Sequence, residues 1–235
     1  DTTSIRPSAP TLRAMIHTGR IQELRILRRT PDRLVLGDED DVELFLHSSA
    51  DPSGKAEALR VFVYLDRDGQ QVATTRMPKA EVGGFANMRV HAIRGAGAHM
   101  DWGLEQRLLV THDEQERPME EGRSYVVRVY IDEETGEVRG STRVKAFLDN
   151  ELLTVRTGDE VELLVYGRSE LGLAVIVNDV HHGMLHASDV FKPVSVGDRL
   201  TGYVKQVRED HKLDIVLQPI GYRQYIDAHT ALLAK

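Results

Sequence analysis

An internal repeat constrains this chain more than any other feature. The segment VYLDRDGQQVATTR at 63–76 returns as VYIDEETGEVRGSTR at 129–143. Tyr64 and Tyr130, like Val72 and Val138, stand 66 positions apart, and the second copy has one residue inserted near its end. Each copy reads as a short β-rich run, an Asp-led turn and a second short run, which is the pattern of a hairpin. A supersecondary unit that recurs at such a spacing points to small units set in tandem.

The rest of each unit fills in from the alternation of apolar and polar residues. Before the first repeated hairpin lie three β-rich runs, His17 to Arg29, Leu34 to Leu36 and Val42 to His47. Before the second lie Phe85 to Ile93 and the stretch GAGAHMDWGLEQRLLV at 95–110. In that stretch Ala98, Met100 and Trp102 fall on one face, while His99 and Asp101 fall on the other. A third unit fits from Gly158, with runs at Val161–Tyr166, Leu171–Val177, Gly183–His186, Leu200–Val207 and Leu213–Leu217. Helical periodicity is nearly absent before the tail. There Tyr222, Tyr225, Ile226, His229, Leu232 and Leu233 recur at helical spacing. Five short strands per unit predict closed antiparallel barrels. The expected division is a leader at 1–14, units at 15–79, 80–148 and 149–218, and a C-terminal helix at 219–235.

Composition narrows the chemistry. At 235 residues with 41% hydrophobic content, the chain can build cores. It contains no cysteine, which excludes disulfides, thiol catalysis and thiolate metal sites and suits a reducing compartment such as the cytoplasm. No run approaches the roughly 18 apolar residues of a membrane span, so no membrane role is expected. The net charge of −7 argues against binding by bulk attraction to phosphate. The sign is uneven: seven arginines against three acids leave +4 over residues 1–36 and −11 over the remainder. Any contact with nucleic acid must rest on local faces and on stacking.

Residues 158–218, with GMLHASD followed by GDRLTGYVKQV, resemble an S1 domain. The tandem of FVYLDRDGQQVATTRMP, GAHMDWGLEQRLLV and EGRSYVVRVYIDEETGEVRGSTR is similar to the bacterial conserved virulence factor B family. The resemblance implies an all-β chain of three tandem S1-like, five-stranded OB-fold barrels with a short C-terminal helix. It also implies binding of single-stranded RNA and a post-transcriptional or translational regulatory role. Members of that family continue into a winged-helix domain, for which residues 219–235 would be the lead-in. They carry an aromatic where this chain has His99.

Single-stranded RNA is held by bases stacked on flat side chains plus a few phosphate contacts, each stacked base contributing roughly 1–3 kcal/mol. The OB surface lies on strands two and three. The candidates are therefore His47 in the first unit, His99 and Trp102 in the second, and His186 in the third. Trp102 shares its face with Ala98 and Met100, so packing in the core is the competing expectation for it. Tyr64 and Tyr130 are repeat-equivalent candidates for stacking or for half-buried packing. Arg76, Arg143, Lys205 and Arg208 are candidates for phosphate. His181, His182 and His186 lack the helical context that would set an i, i+4 pair on one face for zinc, and the acidic run at 38–41 lacks the alternation of a calcium loop. No cofactor, metal or nucleophile–base arrangement is implied, and no enzyme is expected. The partner expected is single-stranded RNA. The alternative is a scaffold for a protein partner, such as a ribosome-associated component.

Overall fold

The structure, a computed structural model, describes residues 16–37, 43–51, 53–66 and 68–219. The expected leader, the acidic run at 38–41 and, beyond Pro219, the expected C-terminal helix lie outside the described residues. Two compact units divide at Met77, residues 1–77 and 78–235. Helix occurs among the described residues only as single 3-10 turns.

The first unit holds β1 (Ile21–Arg29), β2 (Arg33–Gly37), β3 (Glu43–His47), β4 (Ala58–Leu65) and β5 (Gln71–Thr74), in the sheet order β3-β2-β1-β4-β5. The second unit contains two closed barrels. One is built from β6 (Phe85–Arg94), β7 (Gly97–Asp101), β8 (Leu108–Thr111), β9 (Ser124–Ile131) and β10 (Val138–Ser141). The other comprises β11 (Glu160–Ser169), β12 (Gly172–Val177), β13 (His181–His186), β14 (Arg199–Val207) and β15 (Leu213–Val216). In both, the fifth strand pairs parallel with the third and closes the barrel. The strand order 1-2-3-5-4 is that of an OB-fold.

The three sheets repeat in detail because the same local devices recur. Each first strand carries a bulge, between Ile26 and Arg28, Val90 and Ala92, and Val165 and Gly167. Each third strand ends in a 3-10 turn, at Ser48–Ala50, His112–Glu114 and Ala187–Asp189. Strand two of both barrels begins with a glycine pressed on strand three. A Cβ on Gly97 would sit 2.1 Å from the Val110 carbonyl oxygen, and one on Gly172 would sit 2.2 Å from that of Leu185. Alternation places one side of each strand in the core, with Leu34, Leu36, Leu44, Leu46, Val61 and Val63 in the first sheet. Leu163, Val165, Val175, Leu185, Val204 and Ile215 do the same in the third.

Register moves the inserted residue of the repeat. Tyr64 pairs with Val72, whereas Tyr130 pairs with Arg139. The extra residue therefore lies in the turn after Asp132, and the equivalent of Val72 is Arg139, not Val138.

Within the second unit the two barrels share a core. Phe85, Val126 and Val144 from one side bury Leu164 and Ile176 of the other, with Phe147, Leu148 and Tyr166 at the margin. Full burial of a side chain this size contributes roughly 1.5–3 kcal/mol. The connecting segment is riveted by His181, which is 0% exposed. Its Nδ1 donates to the Asp149 carbonyl at 2.5 Å. Its Nε2 accepts from the Thr154 backbone N–H at 3.2 Å and lies 2.8 Å from the Thr154 hydroxyl.

Candidate nucleic-acid interface

In the third barrel the outward residues of β12 and β13 pair as Gly172 with His186, Ala174 with Met184 and Ile176 with His182. Met184 is also level with Asp214 on the parallel strand β15. Asp214 organises this end of the face. Arg208 donates to it through Nε and Nη2, both at 2.8 Å, and His186 Nε2 donates to it at 3.0 Å. Burial pushes the Asp214 carboxyl up, but the bonds from Arg208 and His186 outweigh it and hold the group below its usual range. Arg208 in turn is raised by its hydrogen bond to Asp214. The paired donors fix the guanidinium plane, and the imidazole stands beside it at the edge of an open face. Such an arrangement offers oriented donors and two flat groups to an unpaired base or a phosphate oxygen. Lys205, 16 residues from Asp189, bonds that carboxylate at 2.9 Å and stands apart from this network.

The first sheet builds its face differently. Leu44 and Leu46 point into the core, so Phe45 between them points out, and the residue is 52% exposed. Register sets it opposite Val35, which lies opposite Arg28. Arg28 reaches Glu43 at 3.4 Å, an exposed pair of little energetic weight. Arg33 pairs with His47 at the end of the strand. His47 caps the following turn, its Nδ1 accepting from the Ser49 N–H at 3.2 Å. Tyr64 is half-buried and stacks on Phe62 at 6.0 Å, and Arg76 is exposed just past β5.

In the second barrel the outward row runs His99, Leu109, Arg139 and Tyr130. Arg139 is held by Asp132 at 3.1 Å and Glu137 at 3.2 Å. Tyr130 is tilted against Phe147 at 6.0 Å, and burial pushes its hydroxyl pKa up. Arg143 is exposed at the start of a 3-10 turn. Trp102 is corrected as a stacking candidate: it is 2% exposed, and its Nε1 donates to the Gln106 carbonyl at 2.5 Å. The alternation that sends Ala98 and Met100 inward carries Trp102 with them, leaving no ring face for a base.

Of the residues singled out from sequence, His186 and Arg208 are brought together through Asp214, and His99 and Tyr130 share one row. His47 and His186 occupy equivalent positions at the end of strand three, where the second barrel has Thr111, while His99 lies on strand two. Sequence reasoning missed Phe45, although the alternation in Glu43 to His47 marks it as outward. It also missed Asp214, whose role depends on the parallel pairing of β13 and β15. No group of three or more candidate metal ligands occurs among the described residues, and no helix there is long and apolar enough to cross a membrane.

Residues 18–76, a quarter of the chain, match the S1 domain family. No curated protein matches. Similar solved structures include a multidomain protein with nucleic acid binding domains from Streptococcus pneumoniae. It is 18% identical over 86% of this chain and 74% of that chain, with a TM-score of 0.47. Drosophila Unr CSD456 is 15% identical over 86% of this chain and 98% of that chain, with a TM-score of 0.22.

Proposed function

We propose that the chain binds single-stranded RNA without catalysis. The observation that carries this reading is the His186–Asp214–Arg208 network on the open β13/β15 face of an OB barrel. Phe45, exposed on strand three of the segment that matches the S1 domain, supports it. Arg33, two positions along β2 from Val35 and paired with His47, adds positive charge on the same side of the sheet as Phe45 despite the acidic balance of the whole chain. The S1 match and the tandem barrels also favour a post-transcriptional or translational regulator of the conserved virulence factor B type, acting in the cytoplasm. Linked weak sites in one chain raise the effective local concentration of RNA.

Fluorescence anisotropy with a labelled 20-nucleotide unstructured RNA at low salt tests this. Saturable binding is expected, with a loss of about tenfold in Phe45→Ala and in Arg208→Ala if each removes one base contact. Absence of binding by the full chain rejects the reading. A protein-interaction scaffold is the second reading, favoured by Leu171 and Phe191, 68% and 55% exposed on the third barrel.

A further inference from the structure

We infer that the second barrel is an intramolecular wedge and not a second RNA-binding module. It fills the strand-one/strand-two half of the third barrel's outer face and leaves RNA only the β13/β15 half. The inference rests on the RNA reading above for its second clause, and on packing alone for its first.

The socket is written in one pair of positions. Two residues before each bulge, the outward residue of strand one faces an outward residue of strand two. In the third barrel these are Leu164 and Ile176, directly paired and each 1% exposed under Phe85, Val126 and Val144. In the second barrel the same positions hold Arg89 and Asp101, and Asp101 is further held by Arg107 at 3.0 Å and Lys79 at 3.8 Å. In the first sheet they hold Arg25 and Gly37. Only the third barrel carries an apolar pair there, and an apolar pair on an outward face needs a cover. The bulge residue Tyr166 completes the rim, its hydroxyl 2.9 Å from His182 Nδ1.

The margins are fitted as closely as the centre. Arg199 Nη2 donates to the Phe85 carbonyl at 2.5 Å. Arg128 lies over the rings of Phe85 and Phe147, at 4.7 and 5.6 Å. Gly197, with φ of 98°, lies so close to Asn87 that a Cβ would fall 2.0 Å from its Nδ2. Asn150 donates to the His182 carbonyl and accepts from its N–H, at 2.8 and 2.7 Å, tying the connecting segment to β13. The second barrel's own outer row, meanwhile, offers RNA little. Along that row Arg139 is neutralised by two carboxylates, Tyr130 is half-buried against Phe147, and His99 is half-buried opposite Leu109.

The test uses nitrogen-15 relaxation and amide shifts on the full chain. Without RNA, the second and third barrels are expected to share one rotational correlation time in the wild type and to separate in Ile176→Asp. Two correlation times in the wild type overturn the wedge. On titration with a ten-nucleotide uridine RNA, shifts are expected at Met184, His186 and Asp214 and not at His99 or Leu109. Leu109→Ala is expected to change affinity by less than about twofold, against roughly fivefold or more when a stacking contact is removed. Shifts centred on His99 and Leu109, or a large loss in Leu109→Ala, overturn the second clause. RNA that shifts no residue in any of the three sheets rejects the RNA reading together with that clause, while a single correlation time still supports the wedge.

Discussion

Asp51 shows how much a single side chain can organise. It accepts from the Ser53 hydroxyl at 2.6 Å and the Ala56 N–H at 3.1 Å and pairs with Arg29 at 2.8 Å. The hydrogen bond from Ser53 is the largest of the effects that hold its pKa at about 2, against an ordinary 3.8. A carboxylate with a depressed folded-state pKa adds stability above its unfolded value and loses it as pH falls through the folded one. The stability gap between wild type and Asp51→Asn is therefore expected to shrink between pH 4 and pH 2 in urea titrations. His182 has the opposite chemistry and the same sign. Burial, then Lys145, lowers its pKa, so the unfolded chain takes up the proton first. Its contribution is present above the ordinary imidazole value of about 6.5 and falls as pH drops below it. Thermal melts at pH 8 and pH 5.5 are expected to show this dependence in the wild type and a smaller one in His182→Asn. Neither role was legible in the sequence, because both depend on partners supplied by the folded chain. Trp102 was half legible: alternation gave its face, and only packing showed how deeply the ring is covered.

At the scale of elements, most of the fold was readable. Strand boundaries follow the alternation, and the Asp-led turns and bulges recur with the repeat. What could not be read was pairing between distant strands. Asp214 joins His186 only because β15 lies parallel to β13, and the inserted residue moved from the hairpin's end into its turn once register was known. The junction between the barrels is of the same kind. Leu164 and Ile176 look like ordinary strand residues until the cluster above them is seen. Gly197→Val is expected to destabilise the second unit by about 1–3 kcal/mol, as overpacking does. Denaturant titration followed by Trp102 fluorescence would measure it. An equal substitution at Gly158, in the same unit with φ of 96° and nothing within 4 Å of a Cβ, controls for the strain of a positive φ.

For the whole molecule, the acidic balance and the scattered cationic groups set the character of any RNA complex. With two or three phosphates neutralised, the logarithm of affinity is expected to fall against the logarithm of salt with a slope of about −1.4 to −2.1 for a single strand. A much steeper slope would point to a continuous basic track that the faces described here do not supply. The parallel closure of β13 on β15 carries a consequence of another kind, in the order of folding. Gly183 and Leu213 meet across 30 intervening steps of chain, whereas β11, β12 and β13 meet through short connections. Contacts that close long loops are made late and slow the search. Substitutions of Leu213 or Ile215 are thus expected to speed unfolding and leave the folding rate nearly unchanged, while those of Val175 slow folding. Arg208 and Asp214 meet within the β14–β15 hairpin, so the β11–β13 meander is expected to form before His186 meets that ready-made pair.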